Sequence, residues 1–115
     1  MTIPNCEELV FSGYNNENTI TVSQTVDSVT SVLDFTNTTR MEVKFKKSNV
    51  VADSDESSDA IDWSGGNGQI IFRFEELNIP PGRYPATLIQ YDSDHPDGQV
   101  LFHMDTGGLR FRFIS

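Results

Sequence analysis

Four places in this 115-residue chain hold residue types that could do chemistry. Asp53-Ser54-Asp55-Glu56-Ser57-Ser58-Asp59 concentrates carboxylates, the donors a hard cation such as calcium selects. An EF-hand loop counted from Asp53 needs glycine where Ser58 stands and a bidentate glutamate where Ser64 stands, so the spacing speaks for a solvated loop. Asp92-Ser93-Asp94-His95-Pro96-Asp97-Gly98 sets three carboxylates beside an imidazole, a group that could bind metal or move protons. Its Pro-Asp-Gly core is turn chemistry, and a structural turn is the expectation. Cys6 is the only cysteine, which excludes an intrachain disulfide, and His95 and His103 are the only histidines that could act as its base. A free thiol near the terminus is expected. Trp63, Tyr84 and Tyr91 could stack on sugar rings, and Trp63 and Tyr91 carry the alternative reading of a carbohydrate- or other ligand-binding module.

The motifs that usually announce catalysis are missing from the sequence. It contains no nucleophile elbow, phosphate loop, zinc spacing or HExxH helix. Gly65-Gly66-Asn67-Gly68 is glycine-rich but lies between strand-like runs, with no helix after it to receive a phosphate. A glycosidase carboxylate pair has no distinctive signature here. The expectation is a protein that is not an enzyme, with no catalytic residues, no metal and no cofactor.

Charge narrows the partners. Seventeen acidic residues against eight basic ones give a formal charge of −9, which opposes binding to nucleic-acid phosphates. It suits a soluble protein, or one that meets a basic surface. No apolar run is long enough to span a membrane, and Met1-Thr2-Ile3-Pro4-Asn5-Cys6-Glu7-Glu8 lacks the regions of a signal peptide. Neither nucleic acid nor membrane is therefore an expected partner, and synthesis in a cytoplasm is expected.

The elements that must position these residues are short strands. Eight Phe, three Tyr and one Trp supply core surface for one domain, 1–115, despite a hydrophobic content of only 37%. Leu9-Val10-Phe11 and Thr19-Ile20-Thr21-Val22 read as strands, with 1–18 as a partly ordered N-terminal arm. Thr25 to Phe35 has valines at helical spacing but a β-branched composition, and a strand is favoured. Met41, Val43 and Phe45 alternate with Arg40, Glu42, Lys44 and Lys46, one face buried and one charged. Ile61-Asp62-Trp63 and Ile70 to Phe74 form a hairpin across the Gly-Asn turn, and Glu75-Glu76-Leu77-Asn78 reads as a short helical turn. Val100, Phe102 and Met104, then Leu109, Phe111 and Phe113, mark the last strands, with Arg110 and Arg112 outward. The expected core is Val43, Phe45, Ile61, Trp63, Ile70, Phe72, Phe74, Tyr84, Ala86, Leu88, Phe102, Phe111 and Phe113.

Ile79-Pro80-Pro81-Gly82-Arg83-Tyr84-Pro85-Ala86 is the most informative stretch. A Pro-Pro-Gly corner leads into a strand whose Tyr84 can bond its hydroxyl back to upstream backbone. Ala86 stands where an antibody domain has its second cysteine. Gly82, Tyr84 and Ala86 therefore define a structural corner, and the chain reads as an all-β, immunoglobulin-like antiparallel sandwich of about eight strands without the disulfide.

From about Thr39 onward the chain resembles small β-sandwich modules of tailed-phage virions, upper-baseplate proteins among them. The resemblance rests on Thr39-Arg40-Met41-Glu42-Val43, Asp59-Ala60-Ile61-Asp62-Trp63, Leu77-Asn78-Ile79-Pro80-Pro81-Gly82-Arg83-Tyr84 and Gly98-Gln99-Val100-Leu101. It implies a non-enzymatic phage or prophage structural protein that acts by protein–protein contact as a homo- or hetero-oligomer. It also implies that other virion or tail subunits are its partners and that the virion is its final location. Arg40, Lys44, Arg110 and Arg112 are the candidate interaction face, a basic patch on an acidic protein.

Overall fold

The computed structural model describes residues 6–11, 14, 16–55, 60–74, 77–105 and 108–114, and backbone only at Cys6 and Thr25. Eleven strands follow one another with no helix among the described residues: β1 (Cys6–Phe11), β2 (Asn18–Thr21), β3 (Ser23–Val26), β4 (Val29–Val32), β5 (Thr38–Phe45), β6 (Val51–Asp53), β7 (Ile61–Asp62), β8 (Gln69–Phe72), β9 (Gly82–Asp92), β10 (Gln99–Phe102) and β11 (Leu109–Ile114). The expected all-β, sandwich-like class is what forms.

The larger sheet runs β1-β11-β9-β5-β6, with β10 also paired to β9, and the smaller runs β2-β8-β7. Their inner faces meet through phenylalanines. Phe72 of β8 lies edge-on to Phe111 of β11 at 5.2 Å between ring centroids, and Phe45 of β5 meets Phe74, Phe111 and Phe113 at 5.6 Å each. Edge-to-face geometry is the arrangement the ring quadrupoles favour. The alternation read in β5 and β11 is reproduced: Met41, Val43, Phe45, Leu109, Phe111 and Phe113 are buried, and Lys44, Arg110 and Arg112 are exposed. Trp63 and Tyr84, expected inside, are half-buried at the margin and pack against the core from its edge.

Several elements differ from the sequence reading, each for a definable reason. The pairing is mixed rather than wholly antiparallel, because β1 runs parallel to β11, from Cys6 opposite Leu109 to Phe11 opposite Ile114. A period of two is the same for either strand direction, so alternation alone is silent on this. Cys6–Phe11, inside the segment expected as an arm, is thus a paired strand of the main sheet. The strand expected over Thr25 to Phe35 is instead a hairpin, with β3 antiparallel to β4. Asp27 and Ser28 both take positive φ, 51° and 65°, the two-residue turn whose twist suits a hairpin. The usual sequence signal for that turn is a glycine, and none is present. Of the expected helical turn, Glu75 and Glu76 lie outside the described residues. Leu77 donates its N–H to Phe74 O at 3.1 Å, in no regular element.

Candidate interaction surface

The β3–β4 hairpin is the most exposed element. It pairs with no other described strand, and every described side chain from Gln24 to Val32 is exposed. Val26, Val29 and Val32 are 58%, 65% and 48% exposed. Residues 23–32 carry one charged side chain, Asp27 at the tip. Two-stranded ribbons are marginal alone, and this one is held at its base. Val22, wholly buried, joins β2 to β3; its N–H donates to Gly68 O and its carbonyl accepts from Leu33 N–H, both at 2.9 Å. Gly68 makes this possible. With φ at +72°, a Cβ there would sit 2.6 Å from Val22 O and 3.0 Å from Val32 Cβ. The Gly-Asn turn is therefore both a hairpin loop for β7–β8 and the mount of the projecting ribbon.

A second exposed apolar patch lies on β1. Leu9 and Phe11, 43% and 44% exposed, alternate to the outer face of the large sheet, with Arg112 opposite Leu9 and Ile114 opposite Phe11. Tyr14, 72% exposed, donates its N–H to Phe11 O. The free edge of β1 is blunted by two asparagines. Asn18 Nδ2 donates to Leu9 O at 3.0 Å, Phe11 N–H donates to Asn16 Oδ1 at 3.0 Å, and Asn16 Nδ2 donates to Phe11 O at 2.7 Å. An incoming strand finds those backbone groups already engaged, so the patch is approached by its face.

The expected basic residues share that outer face but do not form one patch. In register, Arg112 is opposite Arg83, Arg110 opposite Pro85, Lys44 opposite Thr87 and Arg40 opposite Tyr91, so all four follow β9 on one side. Thr87 between them is buried, and its hydroxyl accepts from Met104 N–H at 2.9 Å. On the β5 side the charge is locally neutralised. Arg40 donates to both oxygens of Asp53, reaches Glu42 at 3.2 Å and Asp55 at 3.5 Å, and Lys44 lies 3.9 Å from Glu42. Hydrogen bonding to Asp53 raises the Arg40 pKa further above its usual value. Arg110 and Arg112, beside Arg83 (3.4 Å from Glu7), make the basic end of the face.

The corner residues have a structural geometry. Tyr84 Oη donates to Pro80 O at 2.8 Å, its ring lies edge-on to Phe113 at 5.8 Å, Gly82 opens β9, and Ala86 is fully buried two residues on. The two ligand aromatics fare differently. The Arg40 guanidinium lies 4.6 Å from the centroid of the Tyr91 ring, whose hydroxyl donates to Glu42 at 3.2 Å, so one face of that ring is occupied. Trp63 stands between two clefts of about 320 and 300 Å³, one lined by Ser54, Asp55 and Asp62, the other by Asp34, Thr36 and Asn67.

Of the acidic loop, residues 56–59 lie outside the described residues, as does the Cys6 side chain. Asp53 is engaged by Arg40. The Asp92–Gly98 segment forms a turn in which Asp92 Oδ1 accepts from the N–H groups of Asp94 and His95 at 3.0 and 2.8 Å, with His95 Nδ1 at 2.9 Å. Among the described residues no helix is long and apolar enough to cross a membrane. Compared with known proteins, the chain matches no family model, no curated protein and no solved structure.

Proposed function

We propose that this chain is a non-enzymatic structural module of a tailed-phage or prophage particle, working by protein–protein contact with neighbouring subunits. The observation that carries this is the β3–β4 hairpin: a valine-bearing ribbon with a single charge at its tip, mounted through Val22, Leu33 and Gly68, that pairs with no other described strand and leaves Val26, Val29 and Val32 exposed. Exposed apolar surface of this kind marks a contact site. Its composition, β-branched with one charge, is also what an unprotected strand pair avoids unless a partner covers it. The resemblance of the segment from Thr39 onward to virion sandwich modules supplies the setting.

The test is location. Particles from the source cells, purified by density gradient and probed with an antibody to this chain, should carry it in fixed stoichiometry with the other tail proteins. Its absence from intact particles, with the chain abundant in the cell extract, would sink the virion reading.

A second reading rests on Trp63 between its two clefts, each with apolar lining and some hydrogen-bonding side chains, as a sugar platform would need. Trp63 is the only tryptophan, so its fluorescence reports the site directly. A saturable spectral shift with neutral oligosaccharides would favour ligand binding.

A further inference from the structure

We infer that the hairpin's occupant is a second copy of this chain: the β3–β4 tip of one copy docks on the Leu9–Phe11 patch of the next, with Asp27 facing Arg112. This rests on the contact-module reading above and names its partner. Each copy carries both halves of the contact. The hairpin offers Val26 and Val29 flanking Asp27; the patch offers Leu9 and Phe11 beside Arg112, with Arg83 next to Arg112 in register.

Charge selects this pairing. Two copies at −9 each repel at long range, so they meet best where that charge is locally absent or reversed. The hairpin is nearly uncharged with an acid at its tip, while Arg112 stands opposite Leu9 in the patch and Arg83, beside it, is engaged by Glu7, so tip and patch are complementary in sign at Asp27 and Arg112 as well as apolar. Within one chain the two halves are not joined: β3–β4 pairs with neither β1 nor any other described strand, and Leu9 and Phe11 stay exposed. A contact between different surfaces is head-to-tail, and it propagates to a closed ring or an open row. Because Asn16 and Asn18 blunt the β1 edge, the docking is side chain on sheet face, not strand addition.

The experiment uses the full chain and two variants at exposed sites. Val26→Asp/Val29→Asp removes the hairpin's half, and Leu9→Asp/Arg112→Asp removes the patch's half. Circular dichroism confirms that each retains its fold, and sedimentation velocity across the micromolar range reads mass. The unaltered chain should grow with concentration. Each variant alone should stay monomeric, its association weakened about tenfold or more. An equimolar mixture should form a heterodimer that stops at two chains, since it has one intact interface. For a readout independent of destabilising charges, Cys6→Ser/Val29→Cys mixed with Cys6→Ser/Leu9→Cys should give a disulfide-linked heterodimer, and neither protein alone should cross-link. A monomeric unaltered chain, a patch variant that assembles normally, or a mixture that neither pairs nor cross-links would overturn the inference. A monomer that still copurifies with particles would remove the second copy and leave the contact-module reading standing.

Discussion

Tyr84 illustrates how one hydroxyl fixes a corner. Its bond to Pro80 O ties the Pro-Pro-Gly bend to the start of β9, while its ring closes the core beside Phe113. Tyr84→Phe keeps the ring and removes the bond, and urea unfolding should show a loss of about 1 kcal/mol. Glu8 is a residue of opposite sense. It pairs in register with Phe111, so its carboxylate is directed to the inner side of the sheet, where burial pushes its pKa above the ordinary 4.5. A raised carboxyl pKa means the ionised form is penalised in the folded state, and the penalty vanishes once the group is protonated. Glu8→Gln should therefore raise the melting temperature at neutral pH, and the gain should shrink as pH falls below the Glu8 pKa. A gain of equal size at acidic and neutral pH would show that the carboxylate's charge is not the cause.

Among the elements, the hairpin depends on a residue outside it. Gly68 holds a φ that other residues adopt only under strain, and any Cβ would collide with Val22 O, which accepts the Leu33 N–H. Gly68→Ala is expected to cost about 1–3 kcal/mol. The informative measurement is hydrogen exchange. The amides of Val22 and Leu33 should lose protection well before those of β9, because the collision loosens the ribbon's base while the large sheet stays intact. Uniform loss across β9 and β11 would instead mean that the mount and the core unfold as one unit.

For the whole molecule, the carboxylates set the response to acid. Asp53 is held below its ordinary 3.8 chiefly by hydrogen bonds from Arg40, Asp34 by Thr36, Asp62 by Ser64 and Asp105 by Lys46. A depressed folded-state pKa contributes stability that is present above the unfolded value and lost as pH falls through the folded one. The melting temperature should thus hold from neutral pH down to about pH 5 and fall steeply below about pH 4. Asp53→Asn, which removes the best-buried of these partners for Arg40, should lower stability at pH 7 by about 1–2 kcal/mol and flatten the acid limb. An acid limb unchanged by Asp53→Asn would assign the effect to the other carboxylates.

The features governed by local rules can be read from the residues alone. Alternating apolar and charged residues around Val43, Phe72 and Phe111 specify strands and an inward face, because side chains on a strand alternate whatever the partner. Gly66-Asn67-Gly68 specifies a turn, because these residues tolerate positive φ. Tyr84 after Pro80-Pro81-Gly82 specifies the corner, because the hydroxyl reaches back only a few residues. The hairpin was partly legible in Val26-Asp27-Ser28-Val29, two β-branched runs flanking a two-residue loop, but valines at helical spacing masked it. Legible in the folded chain alone are the parallel pairing of β1 with β11, the engagement of Arg40 by Asp53 while Arg112 borders Leu9, and the exposure of Val26, Val29 and Val32. Each of these depends on which distant segment arrives as neighbour, and strand pairing across about a hundred residues leaves no trace in a period of two.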